Sequence, residues 1–174
     1  MKPESASLVG VLRPIDLYVC LFLVSDPAYI GYEALASRLE ISVGSAHNSL
    51  KRLKQSGIVG QDWDVNTSAL FELVVHGSRY VYYVKPGATT RGVPTADSAP
   101  PLMSKISAGD SPHVWPDAEG TIRGAAIEPL HASAPRVALR HNRFYQLLAL
   151  TDAIRIGGAR VRGLAEVEIR RMLD

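Results

Sequence analysis

The first sustained apolar pattern is the run Leu17-Tyr-Val-Cys-Leu-Phe-Leu-Val24, opened by Arg13-Pro14 and closed before Pro27. Apolar on nearly every face, it predicts a buried helix from Pro14 to about Ser25, with Pro14 where its missing N–H costs little. The pattern then thins to a single stripe. Leu35 and Leu39 fall four apart, Ile41 follows, and Val43, Ala46, Leu50 and Leu53 repeat at helical spacing. Two short helices joined by a tight turn result, a helix-turn-helix between Gly31 and Gly57. Ser42 is the natural N-cap of its second helix and Gly57 the natural stop.

The polar remainder of that second helix carries the chemical interest. With the Val43, Ala46, Leu50, Leu53 stripe inward, the opposite face holds Gly44, Ser45, Asn48, Lys51, Arg52 and Gln55. None is large and apolar, and most donate hydrogen bonds. Such a helix suits the major groove of DNA, where its N-terminal side chains approach base edges. Asn48 is suited to adenine and Arg52 to guanine, while Lys51 and Lys54 suit phosphates, which anchor without reading sequence. A solvated face on a helix pair used only for packing is the competing reading.

Beyond Gly57 the pattern admits two readings. In the preferred one, Asn66 or Thr67 caps a helix containing Leu70, Phe71, Leu73, Val74 and Val75, stopped by Gly77. A strand Arg79-Tyr-Val-Tyr-Tyr-Val84 follows it. In the other, residues 71–75 and 80–84 are the two strands of a hairpin. Residues 85–120 are rich in Pro, Gly, Ser, Thr and Ala and read as a long loop, with Leu102 and Trp115 expected to pin it or, for Trp115, to anchor a partner. Residues 121–129 hold a further strand, Thr121 to Ile127, expected to return beside residues 79–84. Arg79, Lys85, Arg91 and Arg123 would then face DNA backbone or minor groove, or simply solubilise a sheet edge.

From residue 130 to 174 the outline is helical. Ser133-Ala-Pro-Arg136 reads as a helix start, Asn142 as a cap for a helix holding Phe144, Leu147, Leu148 and Ile154, and Gly157-Gly158 as a break. Past it, Val161, Leu164, Ala165, Ile169, Met172 and Leu173 form an amphipathic stripe that must pack on the domain, a second copy or another protein.

Charge and chemistry refine this picture. The 174-residue chain carries a net charge of only +2, unevenly spread: acids prevail between Gln61 and Pro129, arginines beyond Arg136. So modest a charge favours a homodimer, which doubles the phosphate contacts. No apolar run approaches the roughly 18 residues of a membrane span, and a signal peptide is not evident. The single cysteine, Cys20, reads as a core residue of a cytoplasmic protein. The five histidines are scattered, no nucleotide loop occurs, and Asp62 and Asp64 alone make a weak case for a metal. The chain is therefore expected to be no enzyme and to need no cofactor.

Residues from Arg13 to Val59 resemble the bacterial winged helix-turn-helix superfamily, in the broad group of MarR-like and ArsR-like regulators. That resemblance implies an α+β, mainly α fold. It also gives the recognition positions of the second helix to Ser45, Asn48, Lys51 and Arg52; with Ser42, Lys54, Arg79 and Arg123, read from the residues themselves, these are the expected DNA contacts. The expected division is a tail (1–11), a winged helix-turn-helix (12–84), a Pro/Gly-rich loop inserted in an atypical wing (85–120), a returning wing strand (121–129) and a helical extension for dimerisation or partner binding (130–174). The expected function is a sequence-specific, homodimeric regulator of transcription, a repressor, bound to double-stranded DNA. The alternative is an antitoxin-like or adaptor protein whose C-terminal helices and loop bind a protein partner.

Overall fold

The computed structural model describes residues 10–28, 30–106 and 111–174. Most of the expected tail, residues 1–11, lies outside them. The chain is an α+β protein, mainly helical, with one three-stranded sheet.

Helix α1 (Pro14–Ser25) is the buried element its all-round apolar character predicts: every residue from Asp16 to Leu23 is buried. Asp16 turns back to accept the Arg13 backbone N–H at 2.8 Å, closing the first turn. Helices α2 (Gly31–Leu39) and α3 (Val43–Gln55) are joined through Glu40, whose backbone is left-handed at φ 53°. The Ser42 hydroxyl caps α3 by accepting from the Ser45 N–H at 3.0 Å, and Gly57, at φ 78°, follows its end. Ala46, Leu50 and Leu53 face inward as expected, but Val43 is 47% exposed. The fully buried Ser49 completes the inner stripe instead.

A minimal hairpin follows α3. Val59 pairs with Val65, Gly60 N–H donates to Asp64 O and Asn66 N–H to Ile58 O. Trp63 at its tip packs edge-on against Tyr32. The Asn66 side chain then caps α4 (Thr67–Glu72), which settles the region from 67 to 76 as helix. The expected strand 79–84 is not formed. The helix runs on through a π-type turn, Leu73–Gly77, into α5 (Ser78–Val81). Tertiary packing overrides the strand propensity of the tyrosines: Val74, Ser78 and Tyr82 recur at four-residue spacing and are all buried, and Ser78 Oγ donates to Val74 O.

Residues 85–120 are not an unstructured loop. They contain β1 (Thr89–Pro94) and β2 (His113–Pro116), linked by short 3₁₀ turns at Ala96–Ser98 and Leu102–Ser104. Strand β3 (Ile122–Ala126) is the expected one, but its partner is β1, not residues 79–84. Strand β1 runs antiparallel to both others, and β2 and β3 pair in parallel, so the three close on themselves. The unit is not a wing with an inserted tip. Closure requires glycine: a Cβ on Gly120 would stand 2.2 Å from the Gly92 backbone, and one on Gly92 2.0 Å from Trp115 O.

The C-terminal residues form α6 (Ala134–Ala138), α7 (Asn142–Ile156) and α8 (Ala159–Leu173), broken at Gly157-Gly158 as the sequence suggests. Asn142 is the first residue of α7 rather than its cap. Helix α7 packs against α1, α5, α6 and α8, and its Phe144, Leu147, Leu148 and Leu150 join Tyr18 and Phe22 of α1 in one core. The boundary expected at residue 130 therefore does not separate two cores. Truncating a fully buried aromatic here, Phe144→Ala for example, removes contacts worth about 3–5 kcal/mol.

Candidate nucleic-acid interface

Three buried leucines, Leu39, Leu50 and Leu53, fix α3 against the rest of the helix pair, and what remains outward is a narrow polar stripe. Gly44, His47, Asn48, Lys51 and Gln55 are exposed along it, with Ser42 and Val43 at its start. The helix contains no aspartate or glutamate, so nothing on it opposes an anionic ligand. Its 13 residues span about 20 Å at 1.5 Å per residue.

The predicted residues divide by what they do. Asn48 and Lys51 are exposed, and neither side chain hydrogen-bonds another group among the described residues. Ser42 and Ser45 share a 2.8 Å hydroxyl contact that belongs to the cap, and Ser45 is half-buried. Lys54, at one flank, donates to Gln61 O at 2.8 Å and so ties α3 to the hairpin. Arg52, at the other flank, sends Nε and Nη2 to the two carboxylate oxygens of Asp16 at 2.8 and 2.7 Å. Asp16 is fully buried, and its carboxylate raises the already high guanidinium pKa of Arg52. The pair fastens α3 to α1, so the guanidinium is committed away from the stripe.

Arg79 and Arg123 lie on other elements. Arg79 is on α5, its guanidinium 5.1 Å from the centre of the Tyr80 ring, and Arg123 is on β3. The structure thus brings Ser42, Ser45, Asn48 and Lys51 onto one surface, flanked by Arg52 and Lys54. It does not assemble a wing with Arg79 and Arg123. His47 is the exposed residue that the sequence reading passed over; its ring packs 5.2 Å from that of Tyr32. Its spacing, three after Gly44 and four before Lys51, is the signal that places it on the stripe.

Other chemistry is sparse. Among the described residues no three His, Cys, Asp or Glu side chains come together as a metal site would need. The Cys20 thiol is buried in α1, and burial pushes its pKa up to about 12, which suits a core residue. Among the described residues no helix is long and apolar enough to cross a membrane. The chain matches no family model, no curated protein and no solved structure.

Proposed function

We propose that the protein is a sequence-specific regulator that binds duplex DNA through α3, as a winged-helix relative with a residual wing. The observation that carries this reading is the acid-free stripe Gly44, His47, Asn48, Lys51 and Gln55, exposed and centred on two unpartnered polar side chains. A convex helix with small residues at its start fits the major groove, where Asn48 pairs bidentately with adenine and Lys51 meets phosphate. Arg52 holds the helix in place and does not read a base. With a net charge of +2, one copy makes few phosphate contacts, so we infer that two copies act together on paired half-sites.

Fluorescence anisotropy tests this with a duplex from the region upstream of the protein's own gene and a scrambled duplex of equal length. Asn48→Ala is expected to cost about 1–3 kcal/mol of discrimination between them. Lys51→Ala is expected to weaken both equally. Equal binding of the two duplexes by the wild type would remove the reading. A protein-partner role is favoured by one separate observation: Tyr80, Val81 and Tyr83, on either side of the buried Tyr82, are large and each more than half exposed. In that reading the three residues anchor a partner, and their replacement by serine leaves DNA binding intact.

A further inference from the structure

Helix α8 spends its inner side on the rest of the chain, where Ala165, Ile169, Met172 and Leu173 are buried. Its outer side is left open: Val167 is more than half exposed, and nothing lies within 4 Å of where a Cβ on Gly163 would stand. Beside α8 runs the helical stretch from α4 to α5, residues 67–81, and the two leave a groove between them. A cavity of about 480 Å³ lies between α4 and the end of α8, lined by Phe71 and Leu173. A second, of about 360 Å³, lies between α5 and the start of α8, lined by Val75, Tyr80 and Gly163. His76, in the π-type turn, lines both and joins them. The bordering residues from 67 to 80 make the groove about 20 Å long.

Apolar exposure is concentrated on the elements that flank this groove. Tyr80, Val81 and Tyr83 stand on or just past α5, and Val167 on α8. The other large apolar side chains exposed among the described residues, Val11, Val43, Met103 and Leu139, are each alone on their segment. Such a concentration marks an interaction surface. Charge decides which partner fits it. Along the groove Arg79, Arg162 and Arg170 are matched in number by Glu72, Glu166 and Asp174. Among the described residues a single long contact joins opposite charges of this set, Glu166 to Arg170 at 3.6 Å, and Arg162 gives one nitrogen to Gly157 O. Most of the pairing capacity is therefore open to a partner. A nucleic acid calls for an excess of cations, and a strongly charged protein for an excess of the opposite sign. A balanced face complements a copy of itself related by a two-fold axis, where each contact occurs twice. A face of one sign would repel its copy.

We propose that the groove between residues 67–81 and α8 is a homodimer interface. Tyr80 and Tyr83 of each copy seat against the groove of the other, and the glutamates of one copy meet the arginines of its partner. This rests on the proposed function only in the inference that two copies act together, and it says where they meet.

The test is size-exclusion chromatography with light scattering on a dilution series of the full chain, without DNA. The wild type is expected to show the mass of two chains, falling to one on dilution. Tyr80→Ser/Tyr83→Ser should raise the dissociation constant by about a hundredfold or more, since aromatic anchors carry much of an interface's affinity. Charge swaps then ask whether the face meets itself. Glu72→Arg/Glu166→Arg leaves the groove strongly basic, and Arg79→Glu/Arg162→Glu leaves it strongly acidic. Each alone should be monomeric where the wild type is paired, and an equimolar mixture of the two should form a two-chain complex. Circular dichroism melting confirms that each variant folds. A wild type that stays monomeric at every concentration overturns the proposal, as do serine or charge variants that dimerise alone like the wild type. A monomeric wild type whose serine variant keeps full DNA affinity leaves the tyrosines to a foreign protein. Failure of the α3 reading is read elsewhere, as equal wild-type binding of the upstream and scrambled duplexes, and it leaves the measured dimer untouched.

Discussion

Arg52 shows how a residue changes meaning between the helical wheel and the folded chain. Its position on α3 suits base reading, but its guanidinium closes a two-point pair with Asp16, thirty-six residues away in sequence. Removing one partner of such a pair strands the other in the interior. Arg52→Ala leaves a fully buried carboxylate whose remaining partner is the Arg13 backbone N–H. We expect the variant to lose about 3 kcal/mol of stability in urea unfolding. At temperatures where it remains folded, its preference among duplexes should match the wild type. A variant of undiminished stability that loses discrimination at a single base pair would return Arg52 to the role of base reader.

Elements that the sequence makes legible are those whose signals are local. The Pro14 start and all-round apolarity of α1, the Ser42 and Asn66 caps and the Gly157-Gly158 break each act within a turn of where they are read. Of the candidate site, Ser42, Asn48 and Lys51 were legible for the same reason, whereas the commitment of Arg52 depends on Asp16 on another helix. Strand β3 is legible, but β1 and β2 are hidden because they are short, broken in pattern by Gly92, Pro94 and Pro116, and paired through contacts distant in sequence. The pinning role of Trp115 was visible, but the means was not. Its indole N–H donates to Asp152 on α7 at 2.6 Å, and Asp152 also accepts from Thr95 Oγ1 and pairs with Arg155, which reaches Tyr82 O. One buried carboxylate thus joins the β unit to the helices. Asp152→Ala leaves Arg155 buried without a counter-charge and the Trp115 N–H unmatched, an expected loss of about 3–5 kcal/mol. Urea unfolding followed by tryptophan fluorescence should show a lower midpoint, and a loss below about 1 kcal/mol would mean that the apolar contacts alone hold the β unit.

At the scale of the whole molecule, helices α1 to α3, the β unit and the C-terminal helices share one core, and charged or titratable groups sit at several of its seams. Glu40, at the end of α2, accepts from Arg136 and Arg140, and the Arg140 and Arg136 side chains hold its carboxyl below the usual range. Glu168 on α8 is held low by Lys105 and Arg171, and Asp97 by His113. At the remaining seam, His131 Nδ1 lies 2.7 Å from Ser133 Oγ, which donates to Leu39 O and contacts the Tyr18 hydroxyl. Burial lowers the His131 pKa from its ordinary 6.5, and the nearby Arg136 charge adds to this. All four groups have the same sign. A folded-state pKa below the unfolded value means that the unfolded chain binds protons first, so stability is complete above the unfolded pKa and declines as pH falls through the folded one. His131 therefore governs the first decline, below its ordinary value of 6.5, and the carboxylates a second below theirs, 4.5 for Glu40 and Glu168 and 3.8 for Asp97. Exposure of Glu40 and its arginines to solvent makes that seam the weakest contributor. Thermal unfolding in a pH series should give a Tm that is flat near neutrality and falls in these two stages. His131→Asn, which keeps a polar partner for Ser133 but does not titrate, should abolish the first stage and leave the second. A variant that retains the decline between pH 6.5 and the carboxylate range would assign it to another group and detach His131 from the seam between α2 and α6.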